Sequence, residues 1–158
     1  MLDWLLDWVL TLVQHHGLAG LLISSFLIST IFFPFSVEIT FPVLIQAGIH
    51  KLSILLVATF GSLAGTLVNY YLGYKGMGLL NRYVKKEEME KATTMMNKYG
   101  WIGLLAAIST PFLPVDPITI LCGATKMNIL EFTVAVLLGK LVKYAIVLGL
   151  IEIILHII

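Results

Sequence analysis

Charged side chains are scarce in this sequence. Lys, Arg, Asp and Glu make up 12% of its 158 residues, about half of the roughly 25% that soluble domains carry. Hydrophobic residues make up 59%, which is more than a soluble core of this size can bury. A water-soluble globular domain is therefore excluded, and the composition indicates an integral membrane protein.

Several chemical signatures are also missing. The single cysteine, Cys122, excludes an internal disulfide, and the histidines and acids show no metal-ligand spacing. Neither a nucleophile elbow nor a glycine-rich phosphate loop occurs. We therefore expect no cofactor, no metal site and no catalytic residues, and we predict that the protein is not an enzyme. The net charge of +1 gives no reason to expect a nucleic-acid partner.

Basic residues are absent from the first fifty positions. Six of the ten Lys and Arg residues fall between Lys75 and Lys98. The positive-inside rule therefore predicts that residues 75–99 form a cytoplasmic linker helix of a multi-pass cell-membrane protein. Near the N-terminus, Trp4 and Trp8 stand four apart, which is typical of a helix anchored at the membrane surface. We expect residues 1–16 to form such an interfacial helix.

The two halves of the sequence resemble each other. Four motifs recur in the same order: GLAGLL, PFSVE, AGIHKLSI and GTLVNYYLG in the first half, and GWIGLL, PFLPVD, CGATKMNI and GKLVKYAIV in the second. We interpret the pattern as an internal duplication within a single membrane domain. Repeat 1 covers residues 17–74, and repeat 2 covers residues 100–158.

Each repeat joins a broken apolar run to a long apolar helix. The breaks hold the prolines Pro34, Pro42, Pro111, Pro114 and Pro117. The pieces beside them are short for a bilayer core of about 30 Å, so each run predicts a re-entrant hairpin. The predicted fold class is all-α integral membrane, with two inverted pseudo-repeats, each a re-entrant hairpin followed by a long transmembrane helix. Alternatively, residues 18–33 span the bilayer at a tilt, and the repeats are then not inverted.

Each proline break carries one acid, Glu38 in repeat 1 and Asp116 in repeat 2. A carboxylate at membrane depth costs several kcal/mol, so it indicates function by default. Irregular backbone at that depth is tolerated only where it lines protein or a water-filled cavity. We predict that the two acids bind a proton or a cation in such a cavity. The alternative is that both lie at the headgroup level as ordinary exposed groups.

Two lysines lie within the last long helix. If that helix begins near residue 129, Lys140 lies about 16 Å along it, and Lys143 shares its face. We predict that they neutralise an anionic headgroup or pair with the acids, and that Asn69, which aligns approximately with Lys143, is a polar partner. The alternative is that the helix begins later and the lysines extend to the interface.

These motifs together resemble the DedA family of membrane proteins, and most closely its short YqaA-like branch. The resemblance rests on Glu38, on GSLAGTLVNYYLG, on NKYGWIGLL followed by PFLPVDPITILCGATKMN, and on GKLVKY. It implies two re-entrant hairpins that face each other, and a function in moving lipids across the membrane. Glu38 matches the acid of the first hairpin, and Pro114, Gly123 and Met127 match the second hairpin and its exit.

One departure from the family concerns phosphate binding. Longer members carry arginines around the proline of the second hairpin, where this chain has Pro111, Asp116 and Pro117. A guanidinium binds phosphate in a bidentate manner, so the resemblance does not bring that binding group to this chain.

The sequence therefore supports one main hypothesis and two alternatives. The main hypothesis is a transporter that flips or scrambles a lipid or polyprenyl-phosphate-like substrate, coupled to protons. The first alternative is a proton- or cation-coupled transporter of a small solute, and the second is a membrane assembly protein that transports nothing. The expected partners are membrane lipids, protons or a cation, and a second copy of the chain.

Overall fold

The structure is a computed structural model that describes residues 3–30, 36–76, 86–110 and 116–157. Within these ranges the regular structure is helical and there is no strand, which confirms the all-α prediction. In chain order the elements are α1 (Asp3–Ile28), a 3-10 helix (Val37–Thr40), α2 (Phe41–Gln46), α3 (Lys51–Lys75), α4 (Lys86–Ser109), α5 (Asp116–Ala124) and α6 (Ile129–Ile157).

Three of the described helices are long and apolar enough to cross a membrane. They are Trp4–Ile28, Lys51–Lys75 and Ile129–Ile154. Helices suit lipid because each interior backbone N–H and C=O is bonded within the helix itself. A shorter apolar helical segment, Val37–Gln46, consists of the 3-10 helix and α2. The two long apolar helices expected from the repeats are therefore present as α3 and α6, whereas α1 joins the expected interfacial helix to the first arm of the broken run.

Helices α1 and α4 each bend sharply at a glycine. Gly17 in α1 has φ 53° and ψ −122°, and Gly100 in α4 has φ 54° and ψ −141°. Only glycine adopts this backbone region readily, because a Cβ would clash there. A side chain at Gly20 would overlap the carbonyl of Leu12, so the two arms of α1 fold against each other. Gly17 and Gly100 are also the residues at which the two sequence repeats begin.

The N-termini of α3 and α6 are capped in the same way. The His50 side chain accepts a hydrogen bond from the backbone N–H of Leu52 at 3.3 Å. The Asn128 side chain accepts one from the N–H of Leu130 at 2.9 Å. The motif alignment instead pairs Asn128 with Ser53. Ser53 instead lies in the first turn of α3, which begins directly after His50.

The motif alignment and the structure also differ where α3 and α6 meet the bent helices α1 and α4. A side chain at Gly61 of α3 would lie 2.7 Å from the carbonyl oxygen of Leu22, and one at Gly139 of α6 would lie 3.3 Å from that of Leu105. Leu22 and Leu105 each stand five residues after a kink glycine. Gly139 thus corresponds in contacts to Gly61, whereas the motif alignment pairs it with Gly65.

Helix α3 lies at the centre of the bundle and packs against α1, α5 and α6. Small residues permit this close packing. A side chain at Gly65 would overlap the carbonyl of Phe26 in α1, and one at Gly73 would overlap the carbonyl of Ile120 in α5. Along α3, the glycines therefore mark the positions where neighbouring backbones come into contact.

Helices α3 and α6 run antiparallel. Lys51 at the start of α3 forms an ion pair with Glu152 near the end of α6. Midway along both helices, the hydroxyls of Ser62 and Tyr144 lie 2.7 Å apart. Two clusters of buried apolar side chains flank this crossing, one that contains Phe41 and one that contains Phe132.

The first arm of α1 also packs on the bundle. Val9 and Val13 are buried in the cluster around Phe41, whereas Trp4 and Trp8 are exposed. The placement of residues 1–16 at a membrane surface stays a prediction. In the linker, residues 77–85 lie outside the described residues, and the remainder from Lys86 onward is helical, as expected.

Candidate functional site

Glu38 and Lys143 form an ion pair inside the bundle. Lys143 Nζ lies 2.8 Å from Glu38 Oε1, and the side chains are only 12% and 14% exposed. Glu38 occupies the first turn of the 3-10 helix, where the positive end of the helix dipole favours a carboxylate. The chain thus brings the acid of the first proline break against a lysine of the last helix.

Both predicted lysines lie far from the ends of α6. At 1.5 Å per residue, Lys140 is about 16 Å and Lys143 about 21 Å from the first residue of the helix. The candidate span Ile129–Ile154 contains 26 residues, or about 39 Å by the same rise. The two ammonium groups are therefore attached near the middle of the span rather than near its ends.

Lys140 is held by one group directly after α1 and one group on α3. Its Nζ donates to the Ser29 hydroxyl at 3.2 Å and to the Ser62 carbonyl at 3.3 Å. Ser29 directly follows α1, and Ser62 belongs to α3. The lysine is only 8% exposed. An ammonium out of water needs such acceptors, since a charge buried without them costs several kcal/mol.

Further hydrogen bonds extend from these two serines. Asn69 donates through Nδ2 to the Ser29 carbonyl at 3.1 Å and to the Thr119 hydroxyl at 3.5 Å. On the other side, the Ser62 and Tyr144 hydroxyls are bonded to each other. We call the six residues the polar network: Ser29, Ser62, Asn69, Thr119, Lys140 and Tyr144. All six are buried.

The polar network also contacts the first proline-containing segment. The ring of Tyr144 meets the ring of Phe41 edge to face, with centroids 5.4 Å apart. Phe41 begins α2, directly after the 3-10 helix that carries Glu38. Tyr144 follows Lys143 in the chain. The ion pair and the polar network are therefore neighbouring parts of one buried polar region in an otherwise apolar bundle.

The predicted site residues are distributed as follows. Glu38 and Lys143 pair directly, while Lys140 and Asn69 are joined through Ser29. Asp116 opens α5, and its side chain lies outside the described part, as do the side chain of Pro117 and the whole of Pro34, Pro111 and Pro114. Pro42 occupies the first turn of α2, where a proline is tolerated because its missing N–H would have no helical partner. It therefore starts a helix instead of breaking one.

Four residues of the polar network were not predicted as site residues from the sequence, namely Ser29, Ser62, Thr119 and Tyr144. A signal was available for Ser62 and Tyr144. Tyr144 stands four residues after Lys140, and Ser62 stands seven before Asn69, so each shares a helix face with a predicted residue. Ser29 gives no such signal, because it acts through its position beside α3 at the end of α1. Among the described residues, no group of three His, Cys, Asp or Glu side chains is placed to hold a metal ion.

Comparison with known proteins identifies the family of this chain. The model of the VTT domain matches residues 27–153, which include the ion pair and the polar network. An uncharacterized protein of Methanocaldococcus jannaschii is 29% identical over 143 residues, which cover 90% of this chain and 88% of that protein. No solved structure matches. The apolar spans and this match agree on a membrane protein, and the chain belongs to the VTT-domain family, that is, the DedA family.

Proposed function

We propose that this protein is a transporter, and not an enzyme, that moves an amphipathic, lipid-like substrate with an anionic head across the bilayer. The observation that carries the proposal is the Glu38–Lys143 ion pair, which lies beside buried Lys140 near the middle of the longest apolar helix. Charged groups at such depth are expensive and mark substrate or ion pathways.

A re-entrant first hairpin is part of the proposal. A side chain at Gly17 would lie 3.5 Å from the Ile49 side chain. The segment between these two residues therefore begins and ends at the same level of the bundle. A side chain at Gly65 would lie 3.0 Å from Ser29 Cβ, and Gly65 is about 21 Å along α3 at 1.5 Å per residue. The second arm of α1 thus runs from the level of the α3 N-terminus to mid-helix. This supports a hairpin whose tip lies near the membrane midplane.

The inverted arrangement of the repeats has support of the same kind. Gly61 and Gly139 make corresponding contacts, and they stand on two helices that run antiparallel. Two corresponding helices in opposite directions are what an inverted repeat produces. Paired broken segments in inverted halves are typical of transporters with a central site.

The proposed orientation follows from the charges at the two ends of α3. Near its C-terminus lie Lys75 and Lys126, which contact the rings of Tyr71 and Tyr74. Near its N-terminus, Lys51 is balanced by Glu152. The excess of basic residues at the C-terminal end supports a cytoplasmic position for that end and for the linker 75–99 of a multi-pass cell-membrane protein.

We further propose that the substrate head competes with Glu38 for Lys143. Protonation of Glu38 would remove its charge and leave the ammonium of Lys143 free for an anionic head. Return of the proton to solution would restore the ion pair and expel the head. One proton would then be coupled to each substrate that crosses, and Lys143 and Lys140 would serve in place of the arginines that this chain lacks.

The test is lipid flux in liposomes that contain the purified protein. Flux is followed by chemical reduction of lipids that carry a fluorophore on an acyl chain, one phosphatidic acid and one phosphatidylcholine, with and without a pH gradient. We expect phosphatidic acid to move faster, in a manner that depends on the gradient. Glu38→Gln should abolish the pH dependence, and Lys143→Met should abolish flux. Lys51→Gln is the matched control, because it removes the exposed ion pair to the same helix.

Other results would favour the alternatives. Uptake of a small solute by wild type, without lipid flux, would indicate the small-solute transporter. If folded Glu38→Gln and Lys143→Met transport as the wild type does, the ion pair is not part of a pathway. If neither lipid nor solute moves under any gradient, the non-transporting assembly protein is favoured.

A further inference from the structure

We propose that the first arm of α4, residues 86–99, is a gate that moves away from α5 by bending at Gly100, whereas the corresponding arm of α1 is fixed. The inference rests on the proposed function only in assigning this movement to transport, because the movement itself is measured without a substrate. It follows from a difference between two kinked helices that otherwise correspond.

The two kinks have the same backbone but different surroundings. Gly17 and Gly100 have φ of 53° and 54°. In α1 the arms are in close contact, since a side chain at Gly20 would overlap the carbonyl of Leu12. In α4 the place beside Gly103, which likewise stands three residues after its kink, is part of a cavity. The same bend therefore encloses packed atoms in repeat 1 and empty space in repeat 2.

This cavity lies between both arms of α4 and α5. It holds about 60 Å³ and is lined by Met96, Gly100, Gly103, Leu104, Ala107, Ile118 and Leu121. Protein interiors contain few voids larger than a water molecule, and an apolar void stays dry. The side chains that line a dry void lack contacts on one side. The first arm of α4 is therefore held less firmly than a close-packed helix would be.

The burial of the two first arms differs in the same sense. In α1, Val9 and Val13 are 2% and 1% exposed. Met96, which like Val13 stands four residues before its kink, is only partly buried against the cluster around Phe132. Exposed side chains of the same arm are those of Glu87, Glu90, Thr94, Asn97, Lys98 and Tyr99. Segments with few buried apolar contacts open locally at a lower free-energy cost than the rest of a protein.

Helix α5 connects this arm to the polar network. Ile118 lines the cavity, and the next residue, Thr119, accepts a hydrogen bond from Asn69 at 3.5 Å. Departure of the arm would uncover one face of α5 while the other face contacts the network. The arm belongs to the linker 75–99, which we propose to be cytoplasmic, so the gate controls access from the cytoplasmic end.

The single cysteine of the chain reports this movement. Cys122 is fully buried, and its Sγ lies 3.7 Å from the sulfur of Met96 on the arm. The purified full-length protein in non-ionic detergent is treated with N-ethylmaleimide, and intact mass spectrometry follows the modified fraction. We expect the folded wild type to react about tenfold faster than global unfolding allows, because local opening costs less free energy. Denaturant titration gives the limit that global unfolding sets.

A matched pair of variants tests the hinge. Gly100→Ala and Gly17→Ala each place a Cβ at a kink of the same φ, which strains the bent backbone. Gly100→Ala should raise the labelling rate about tenfold, since strain of the usual size changes an opening equilibrium by that factor or more. Gly17→Ala should leave the rate unchanged, because the strained kink is then in α1 and Met96 still covers Cys122.

A second pair tests the cavity. Ala107→Leu fills it and should slow labelling about tenfold, because buried methylenes add contacts that opening must break. Ala106→Leu, at an exposed neighbour on the same helix, should not change the rate. Ala107→Val repeats the test with less added volume if the leucine variant proves less stable than the wild type. In liposomes, the variant that slows labelling should slow lipid flux by a similar factor.

Several outcomes would overturn the inference. Equal acceleration by Gly100→Ala and Gly17→Ala would mean that Cys122 reacts through unfolding of the whole bundle. An unchanged rate in folded Gly100→Ala would remove the hinge, and slow labelling with wild-type flux in Ala107→Leu would remove the gate. If any of these occurs while wild-type flux persists, this inference fails and the proposed function stands. If the labelling contrasts hold and the wild type moves no lipid, the proposed function fails and the movement of the arm is supported.

Discussion

Among the residues that the structure describes, two ion pairs link helix α6 to other parts of the bundle, and they differ in almost every physical respect. Lys143 and Glu38 meet near mid-helix and are about one-eighth exposed, whereas Lys51 and Glu152 meet at one end and are 42% and 49% exposed. Exposed pairs are screened and stabilise a protein by roughly 0–1 kcal/mol. Removal of one partner of a buried pair destabilises the folded protein by about 3–5 kcal/mol, because an unpaired charge remains in its interior.

The difference indicates what each pair contributes. An ion pair at the end of a helix is replaceable by water and requires no special explanation. An ion pair at mid-span is hard to justify by stability alone, since apolar residues of similar size are often neutral or better at such positions. That Glu38 and Lys143 are buried together therefore favours a role in transport, and the following predictions test the contrast between the two pairs.

The largest effect is expected for Lys143→Met. The substitution leaves the Glu38 carboxylate among buried side chains without its cation, so the free energy of unfolding should fall by about 3–5 kcal/mol. Denaturant unfolding of the purified protein, followed by circular dichroism, measures the loss. A decrease below about 1 kcal/mol, as expected for an exposed pair, would mean that the two pairs do not differ and that Glu38 is solvated.

Neutralising both partners should restore stability but not function. In Glu38→Gln combined with Lys143→Met, no bare charge remains, so most of the stability lost in Lys143→Met should return. On the proposed function, lipid flux should stay absent, because the cation proposed to receive the head is missing. A double variant that is both stable and active would show that the buried pair is dispensable for transport.

The sequence predicts the ion pair and the polar network beside it only in part. Glu38, Lys140, Lys143 and Asn69 were all identified, because charged or amide groups in apolar helices are conspicuous. Pairing of the lysines with the acids was predicted only as one of two possibilities, and the serine and tyrosine partners were not predicted, since pairing depends on how α1, α3 and α6 meet. The contact of Ser62 with Lys140 illustrates this, because a serine in an apolar helix is usually accounted for by contacts within its own helix.

The helices were predicted more fully than the bends. Long apolar runs predict the presence of α3 and α6, since lipid permits little else. The reversal at Gly17 was not predicted, because an isolated glycine is tolerated within a helix and its φ of 53° is imposed by packing between the arms. For the same reason the motif alignment misjudged the register of Gly139.

An intermediate effect is expected for Lys140→Met. This change removes the two hydrogen bonds from Nζ to Ser29 and Ser62, each of the charge-assisted kind worth about 1.5–3 kcal/mol. The substitution also removes the cost of burying the ammonium, which offsets part of the lost hydrogen bonding. We therefore expect the free energy of unfolding to fall by about 2 kcal/mol in total. Denaturant unfolding gives the value, and a more stable variant would mean that Lys140 is retained for function at the expense of the fold.

The smallest effect is expected for the exposed pair. Lys51→Gln should lower the free energy of unfolding by less than about 1 kcal/mol, and raising the salt concentration should remove most of that difference, since the Debye length falls to about 3 Å at 1 M. The stability lost in Lys143→Met should respond far less to salt, because buried charges are poorly screened. Unfolding of both variants at low and high salt measures the contrast. A salt-sensitive loss at Lys143 would mean that water reaches the mid-span pair in the resting state, which would make the site an open aqueous pathway instead of a closed one that Glu38 must release.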